Sequence, residues 1–277
     1  PGQAGQGVSA SGALDMGALH RANRAVGNPA DTPTLEITLG PLRLRADRSV
    51  TLALAGAADR AQIVAGGKTL PVPPGAFALD QGDELLIHPP MRGMRSYLAL
   101  RGGYDVEPVL SSASTDTLAF VGPEALKDGA ALGLGKGKVE AIAVAEVQPD
   151  LPKAGDVVEL PVTLGPRADW FTPDMIRHFL TQEWLVTPQS SRVGIRLEGA
   201  QPMRREDAKE LPSEGTETGA IQIPHSGQPV LFLADHPLTG GYPVIATLLP
   251  RALDLAGQIP PGARIRFVTD HDFAPID

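Results

Sequence analysis

Leu35-Glu36-Ile37-Thr38-Leu39 and Leu42-Arg43-Leu44-Arg45 stand on either side of Gly40-Pro41, and Val50-Thr51-Leu52-Ala53-Leu54 follows a few residues later. Apolar and polar residues alternate in these runs, the period of a half-buried β-strand. The pattern continues outward through Asp83-Glu84-Leu85-Leu86-Ile87, Tyr97-Leu98-Ala99-Leu100, Val157-Val158-Glu159-Leu160, Gly194-Ile195-Arg196-Leu197 and Val230-Leu231-Phe232-Leu233. The chain holds 31 Gly and 27 Pro, a share well above the usual value of about 12%. Many short strands with closely spaced turn signals predict a mainly β protein built from barrels or sandwiches.

The 277 residues allow one large domain or two of about 140 residues each. With 24 Lys and Arg against 32 Asp and Glu, the formal charge is −8 and there is no basic stripe, which argues against nucleic acid as a partner. No run of 18 apolar residues spans a membrane, and no charged start with an apolar run marks a secretory signal. Cys is absent, so disulfides, Cys-ligated zinc, iron–sulfur centres and a thiol nucleophile are excluded. The first residue is Pro1, and the genetic start is expected upstream of it.

A glycine turn leading into an apolar strand recurs as Gln81-Gly82-Asp83-Glu84-Leu85, Ala154-Gly155-Asp156-Val157-Val158 and Pro261-Gly262-Ala263-Arg264-Ile265. The echo suggests two similar barrels in tandem, though common turn chemistry would also produce it. Two helices stand out. Leu14, Ala18, Leu19, Ala22 and Val26 share one face, with Asp15 near the start and Gly27-Asn28 as the stop. Thr172 is an N-cap, Pro173 takes the first helical position, Asp174 sits in the first turn, and Ile176, Phe179 and Leu180 form the apolar face; Pro188 ends any continuation. The polar tract from Gln201 to Gly219, with Arg204-Arg205-Glu206-Asp207 and Glu214-Gly215-Thr216-Glu217, reads as an exposed loop, long enough for a lid or binding loop.

Gly67-Lys68-Thr69 resembles the end of a phosphate-binding loop. The glycine required five residues earlier is Gln62, and Leu70-Pro71-Val72-Pro73-Pro74 follows in place of a helix. A hairpin turn is expected. Gly133, Gly135 and Gly137 likewise have no helix behind them. The histidines His20, His88, His178, His225, His236 and His271 lack zinc-motif spacing, so no metal site is expected. His225 and His236 flank strand ends near Asp235. No Gly-X-Ser-X-Gly elbow is present, while a triad assembled from distant positions stays open. The densest polar cluster runs from Gln189 to Gly199. Arg192, Arg196 and Glu198 alternate along a strand with Gly194 between the arginines. Even spacing predicts a shared face and a carboxylate or phosphate clamp, against the plainer reading of a solvated Arg–Glu pair. On the clamp reading, Arg192→Lys impairs function and leaves the fold nearly intact. Gly240-Gly241, within Leu238-Thr239-Gly240-Gly241-Tyr242-Pro243, fits either an N–H anion site or a tight turn.

Longer stretches carry a resemblance. They are Gly7-Val8-Ser9-Ala10-Ser11-Gly12-Ala13-Leu14-Asp15, Ala22-Asn23 with Val26-Gly27-Asn28, Leu35 to Gly40, Tyr97-Leu98-Ala99 with Gly102-Gly103 and Asp105, and Ser114-Thr115-Asp116. In the second half they are Asp169-Trp170-Phe171, Val186 to Arg192 with Gly194 to Gly199, Gly219 to Pro224, Gly227-Gln228-Pro229, Asp235, and Thr239 to Pro243. In these the sequence resembles the carboxyltransferase-like C component of bacterial ATP-dependent 5-oxoprolinase. That family also includes the Kip antagonists, allophanate hydrolase subunit 2 and the carboxyltransferase domain of urea amidolyase.

The resemblance implies two cyclophilin-like β-barrel domains, expected at 1–145 and 146–277, with a substrate cleft between them. It implies a cytoplasmic protein that works in a heteromeric complex with a homologous B component and a third, A component. Together they open 5-oxo-L-proline to L-glutamate, with ATP used by the assembled complex. The alternatives are biotin-dependent carboxyl transfer to urea or a related amide, with biotin supplied by another protein, and a non-catalytic regulatory partner of a Kip-inhibitor-like protein. Relatives often carry a cation just after Gly-Gly-Tyr-Pro, where this chain has Val244. On this reading Asp169, Glu198 or Asp235 positions water or moves protons. Arg192, Arg196, Gln222, His225, Thr239, Gly240, Gly241 and Tyr242 contact the substrate.

Overall fold

The computed structural model describes residues 3–206 and 209–269; Asp207 and His271 lie outside the described residues. The chain divides into two units, and neither is continuous. One comprises Asp15–Thr115 and Gly122–Leu151. The other comprises Pro152 onward together with the residues up to Leu14 and Asp116–Val121. A single cut at 145/146 therefore does not describe the division, because two short N-terminal segments join the C-terminal unit.

In the N-terminal unit the alternating runs become strands. Leu35–Thr38, Arg95–Leu100, Val50–Gly56 and Ala76–Leu79 form one antiparallel sheet in that order. Leu42–Arg45, Glu84–Ile87, Ala61–Ala65 and Lys68–Pro71 form a second. The first two runs thus belong to different sheets. Leu39 and Gly40 both take left-handed φ, 58° and 56°, which reverses the chain between them; left-handed φ is uncommon for a residue with a side chain. Leu52, Phe77, Leu79, Leu85, Ile87, Leu98 and Leu100 form the shared core. The first helix covers Met16–Val26, capped by the Asp15 carboxylate on the Ala18 N–H and closed by Gly27 at φ 71°. Leu14 is not part of it and packs in the core of the other unit. The Gly67-Lys68-Thr69 element is a hairpin: Gly66 and Gly67 both have positive φ and join Ala61–Ala65 to Lys68–Pro71. Gly135 and Gly137 donate their N–H groups to the carbonyls of Gly103 and Gly102. A Cβ on Gly135 would lie 2.6 Å from the Gly102 oxygen, so these glycines serve close backbone packing.

The C-terminal unit holds a closed seven-stranded barrel. Its order is Val157–Leu164, Val244–Leu248, Ala220–Gln222, Val230–Phe232, Gly194–Glu198, Trp184–Val186 and Arg264–Thr269. The last strand closes on the first in parallel register, Val157 opposite Arg264. Among the described residues closure appears only in this unit; the two four-stranded sheets of the other, and its two-stranded pair of Tyr104–Asp105 with Gly133–Leu134, remain separate ladders. The recurring glycine turns precede Glu84–Ile87, Val157–Leu164 and Arg264–Thr269. Gly82, Gly155 and Gly262 have φ of 93°, 90° and 88°, a conformation glycine adopts at little cost. Asp83 and Asp156 accept from the N–H groups of Asp80 and Lys153 in the same manner, so two of the three turns share their side-chain capping. Parallel closure sets the second and third side by side, with the Gly155 N–H donating to Gly262 O.

The second helix runs Pro173–Thr181, with the Thr172 hydroxyl accepting from the Met175 N–H. It stops well before Pro188, because Trp184–Val186 is drawn into the barrel as a strand. Phe179 stacks on Phe267 at 4.7 Å and accepts at its carbonyl from the Trp184 indole N–H. The tract from Gln201 to Gly219 is more pinned than an exposed loop. Met203, Leu211 and Thr216 are buried, the Met203 N–H donates to Gly227 O, and the Glu206 N–H donates to Trp170 O. Among the described residues no helix is long and apolar enough to cross a membrane.

Candidate functional site

The polar residues singled out in the sequence fall into three groups, all in the C-terminal unit. The first is built around Asp235, which is fully buried. Its Oδ1 accepts from the Ser11 hydroxyl at 2.6 Å and from Arg192 Nη2 at 3.0 Å. Its Oδ2 accepts from the Thr117 N–H at 3.1 Å, the Thr117 hydroxyl at 2.8 Å and Arg192 Nε at 2.9 Å. Arg192 also donates to Gly12 O at 2.7 Å. Asp235 is therefore occupied on both oxygens and is not poised to move a substrate proton. Arg192 precedes the strand, which begins at Gly194, so it does not share a face with Arg196. Its guanidinium pins Gly12 and Asp235, so Arg192→Lys is expected to disturb folding. A parallel knot sits on Asp116, which accepts from Ser9 twice and from the N–H groups of Leu118 and Ala119. Burial pushes the Asp116 carboxyl up, but these hydrogen bonds outweigh it and hold the group below its ordinary 3.8.

The second group lies on the outer face of Gly194–Glu198. Ile195 and Leu197 point inward and are buried, while Arg196 and Glu198 point outward. They line a groove of about 300 Å³ with Thr187, Gln189, Ser226 and Gln228. The Arg196–Glu198 ion pair expected on the plain reading is absent among the described residues.

The third group gathers where Ala220–Gln222 meets the Thr239–Pro243 turn. Gln222 is buried, and its Nε2 donates to Tyr242 O at 2.9 Å. The Ile223 N–H donates to Pro243 O. The His225 ring meets the Tyr242 ring edge-on at 5.1 Å. From the 201–219 tract Arg205 reaches over the same ring, 5.6 Å from its centroid, and donates to Ile223 O. Thr239–Gly240 pairs with Glu214–Gly215. Glu214 forms a forked pair with Arg167, which lowers the Glu214 carboxyl and raises the guanidinium, chiefly through their hydrogen bonds. Asp169 adds to the field on Arg167. Gln222, His225, Thr239, Gly240, Gly241 and Tyr242 thus come together, with Asp169 at the margin. Gly240 and Gly241 are not among the glycines with left-handed φ, the conformation that builds an anion nest. Gly240 is small because the Gln222 carboxamide lies on it, 2.5 Å from where a Cβ would stand.

The grouping also exposes residues that sequence reading missed. Arg205, Arg167 and Glu214 look like ordinary solvated charges in the sequence, and only the tertiary contacts place them at Tyr242 and Gly240. His236, at a strand end near Asp235, is buried and hydrogen-bonded from Nδ1 to Pro237 O. With an aromatic platform, a cation over it and an imidazole at its edge, the third group can hold an anionic group and exchange a proton. The Gly66-Gly67 hairpin does not fit ATP: a phosphate cradle needs free N–H groups at a helix start, and here strand pairing follows.

Comparison with known proteins agrees with this architecture. The family model described as carboxyltransferase domain, subdomain A and B, matches residues 6–269. Over 95% of its length the chain is 39% identical to the C component of 5-oxoprolinase from Escherichia coli K12, covering 83% of that protein. The solved structure of TTHA0988 matches with a TM-score of 0.82 at 34% identity, over 96% of this chain and 52% of that one. The K. lactis urea amidolyase matches with a TM-score of 0.83 at 28% identity, over 95% of this chain and 17% of that one. The chain thus spans about half of the first of these solved chains and about a sixth of the second. From its sequence match across both subdomains and its shared fold, the chain belongs to the carboxyltransferase subdomain A and B family.

Proposed function

We propose that this chain is the C component of a 5-oxoprolinase that opens 5-oxo-L-proline to L-glutamate together with partner A and B components. The observation that carries the reading is the 39% identity to the E. coli C component across 95% of the chain. ATP, used by the assembled complex, would phosphorylate the stable lactam oxygen with release of ADP, after which water adds to the activated carbon, the ring C–N bond breaks, and hydrolysis of the acyl phosphate releases phosphate and L-glutamate. The residues of this chain bind and orient. Arg205, over Tyr242, holds the substrate carboxylate. His225, at the edge of the same ring, exchanges the proton that accompanies ring opening. Gln222 and the Gly240–Gly241 backbone set the position of Tyr242, and Asp169 tunes Arg167 beside them. The complex is cytoplasmic on this reading, and the chain alone is inactive.

The test is 5-oxoproline-dependent ATP hydrolysis with glutamate formation, using the purified chain alone and with the A and B components. Turnover only in the complete complex, lowered at least roughly tenfold by His225→Ala, supports the reading. Robust turnover by the single chain, or none in the complex, overturns it. The likeness to urea amidolyase favours a second reading, biotin-dependent carboxyl transfer to an amide, which predicts bicarbonate-dependent ATP use with a biotinylated partner instead.

A further inference from the structure

We propose that the outer groove at Arg196 and Glu198 binds the zwitterionic head of an α-amino acid. The closed barrel fixes its walls: alternation along Gly194–Glu198 sends Ile195 and Leu197 into the core and leaves both charges outside. The Thr187 N–H donates to Arg196 O and the Arg196 N–H donates to the Ser190 hydroxyl on one edge of the strand, and the Leu197 N–H donates to Pro229 O on the other, so the strand bearing the charges is held on both edges.

Three observations point to a ligand. Among the described residues the Arg196 guanidinium has no carboxylate partner and the Glu198 carboxylate has no cation. Elsewhere in the same unit neighbouring opposite charges do find each other, as Arg266 does with Glu159 on the barrel and Arg167 with Glu214 beside it. Thr187, which lines the groove, is 9% exposed, and its hydroxyl has no hydrogen-bond partner. A buried orphan hydroxyl is costly and uncommon in a native fold. The groove, about 300 Å³, is the size for one small molecule.

Charge complementarity then selects the ligand class. Two residues along a strand span roughly 6.6 Å, enough to seat a small group between the two side chains. A simple anion gains Arg196 but faces the like charge of Glu198, and a simple cation has the opposite difficulty. A zwitterion satisfies both, with its carboxylate on the guanidinium and its ammonium on the carboxylate; the Thr187 hydroxyl, covered in this structure, reaches that carboxylate by a change of rotamer. The class follows from these residues alone; the choice of L-glutamate as probe rests on the 5-oxoprolinase reading.

Calorimetric titration of the full chain with L-glutamate, 5-oxo-L-proline and propionate tests this. 5-Oxo-L-proline keeps the carboxylate but carries a lactam nitrogen in place of the ammonium. L-Glutamate should bind about tenfold tighter than either other compound, the difference expected of one charged contact. Glu198→Gln should erase that discrimination, and Arg196→Met should weaken all three. Thr187→Val should weaken glutamate binding while raising Tm, because the orphan hydroxyl is gone; a merely structural role for Thr187 would not lower affinity. Absence of glutamate binding at millimolar concentration overturns the proposal. So does equal affinity for glutamate and 5-oxo-L-proline, or binding unchanged in both charge variants. The titration needs no partner protein, so its outcome is separate from that of the turnover assay.

Discussion

Arg192 and Arg196 lie four residues apart on either side of Gly194, with the same side chain and a shared local sequence. Arg192 is drawn under the surface and spends its donors on Asp235 and Gly12. Arg196 stands outside the barrel with no ion pair among the described residues. The difference lies in what the chain brings alongside. Before Gly194 the consecutive carbonyls of Val193 and Arg192 accept from the N–H groups of Leu233 and Asp235, so the regular alternation is broken and the Arg192 side chain meets Asp235, which follows the neighbouring strand of the barrel, together with Ser11 and Thr117. After Gly194 the side chains obey the in–out alternation of the barrel, and an outward arginine meets only the groove. A guanidinium is thus a fastener in one place and an exposed, unpaired charge in the other, and the strand boundary between them decides which.

The largest loss is expected at the buried pair. Asp235→Asn should destabilise the protein by about 3–5 kcal/mol, since Arg192 is left without its counter-charge and one carboxylate oxygen no longer accepts. Denaturant midpoints measure this, and a loss below about 1 kcal/mol would place the pair with ordinary surface bridges. Arg192→Lys should also destabilise, because one ammonium cannot replace the fork on both oxygens together with Gly12 O.

At the far end of the same strand, Gly199→Ala should cost about 1–3 kcal/mol through overpacking. The new Cβ would lie 2.1 Å from Gln182 Nε2 and 2.5 Å from Cζ3 of Trp184, and Trp184 is fully buried. A thermal melt unchanged from wild type would show that the Trp184 side of the barrel can yield.

The Asp116 knot sharpens the contrast through pH. Its folded carboxyl lies below the ordinary 3.8, so the native state binds fewer protons than the unfolded chain near that pH. Its stabilisation is fully present above the unfolded value and is lost as pH falls through the folded one. Asp116→Asn should lower stability at neutral pH and flatten the acid limb of a pH–stability curve. An acid limb as steep as that of wild type would assign the loss to other carboxylates.

The smallest effect belongs to Arg196. Arg196→Met should change stability by no more than about 0.5 kcal/mol, as expected of a surface side chain without partners. A larger loss in urea titration would reveal a structural role and weaken the contrast with Arg192.

Much of this molecule is legible in its residues. The alternating runs mark most of the long strands, and Asp15 and Thr172 cap the helices they precede. The Gly67-Lys68-Thr69 hairpin follows from the missing upstream glycine and the prolines that come after. The recurring glycine turns share their left-handed φ, and two share their Asp cap. Trp184–Val186 escapes because three residues carry too little periodicity to register, and Arg205 escapes because nothing local distinguishes a cation that will lie over a tyrosine.

The order of residues alone specifies most of the long strands, the starts of the two capped helices, how the recurring turns close, and the family, because these depend on neighbours within a few residues or on long ordered stretches of matching residues. Which charges are spent on partners and which are left facing solvent is settled by long-range packing. Ser11 meets Asp235 across 224 residues and Arg192 meets it across 43. No local rule reports such pairings, because a carboxylate reads the same in the chain whether the fold later surrounds it with donors or leaves it facing water.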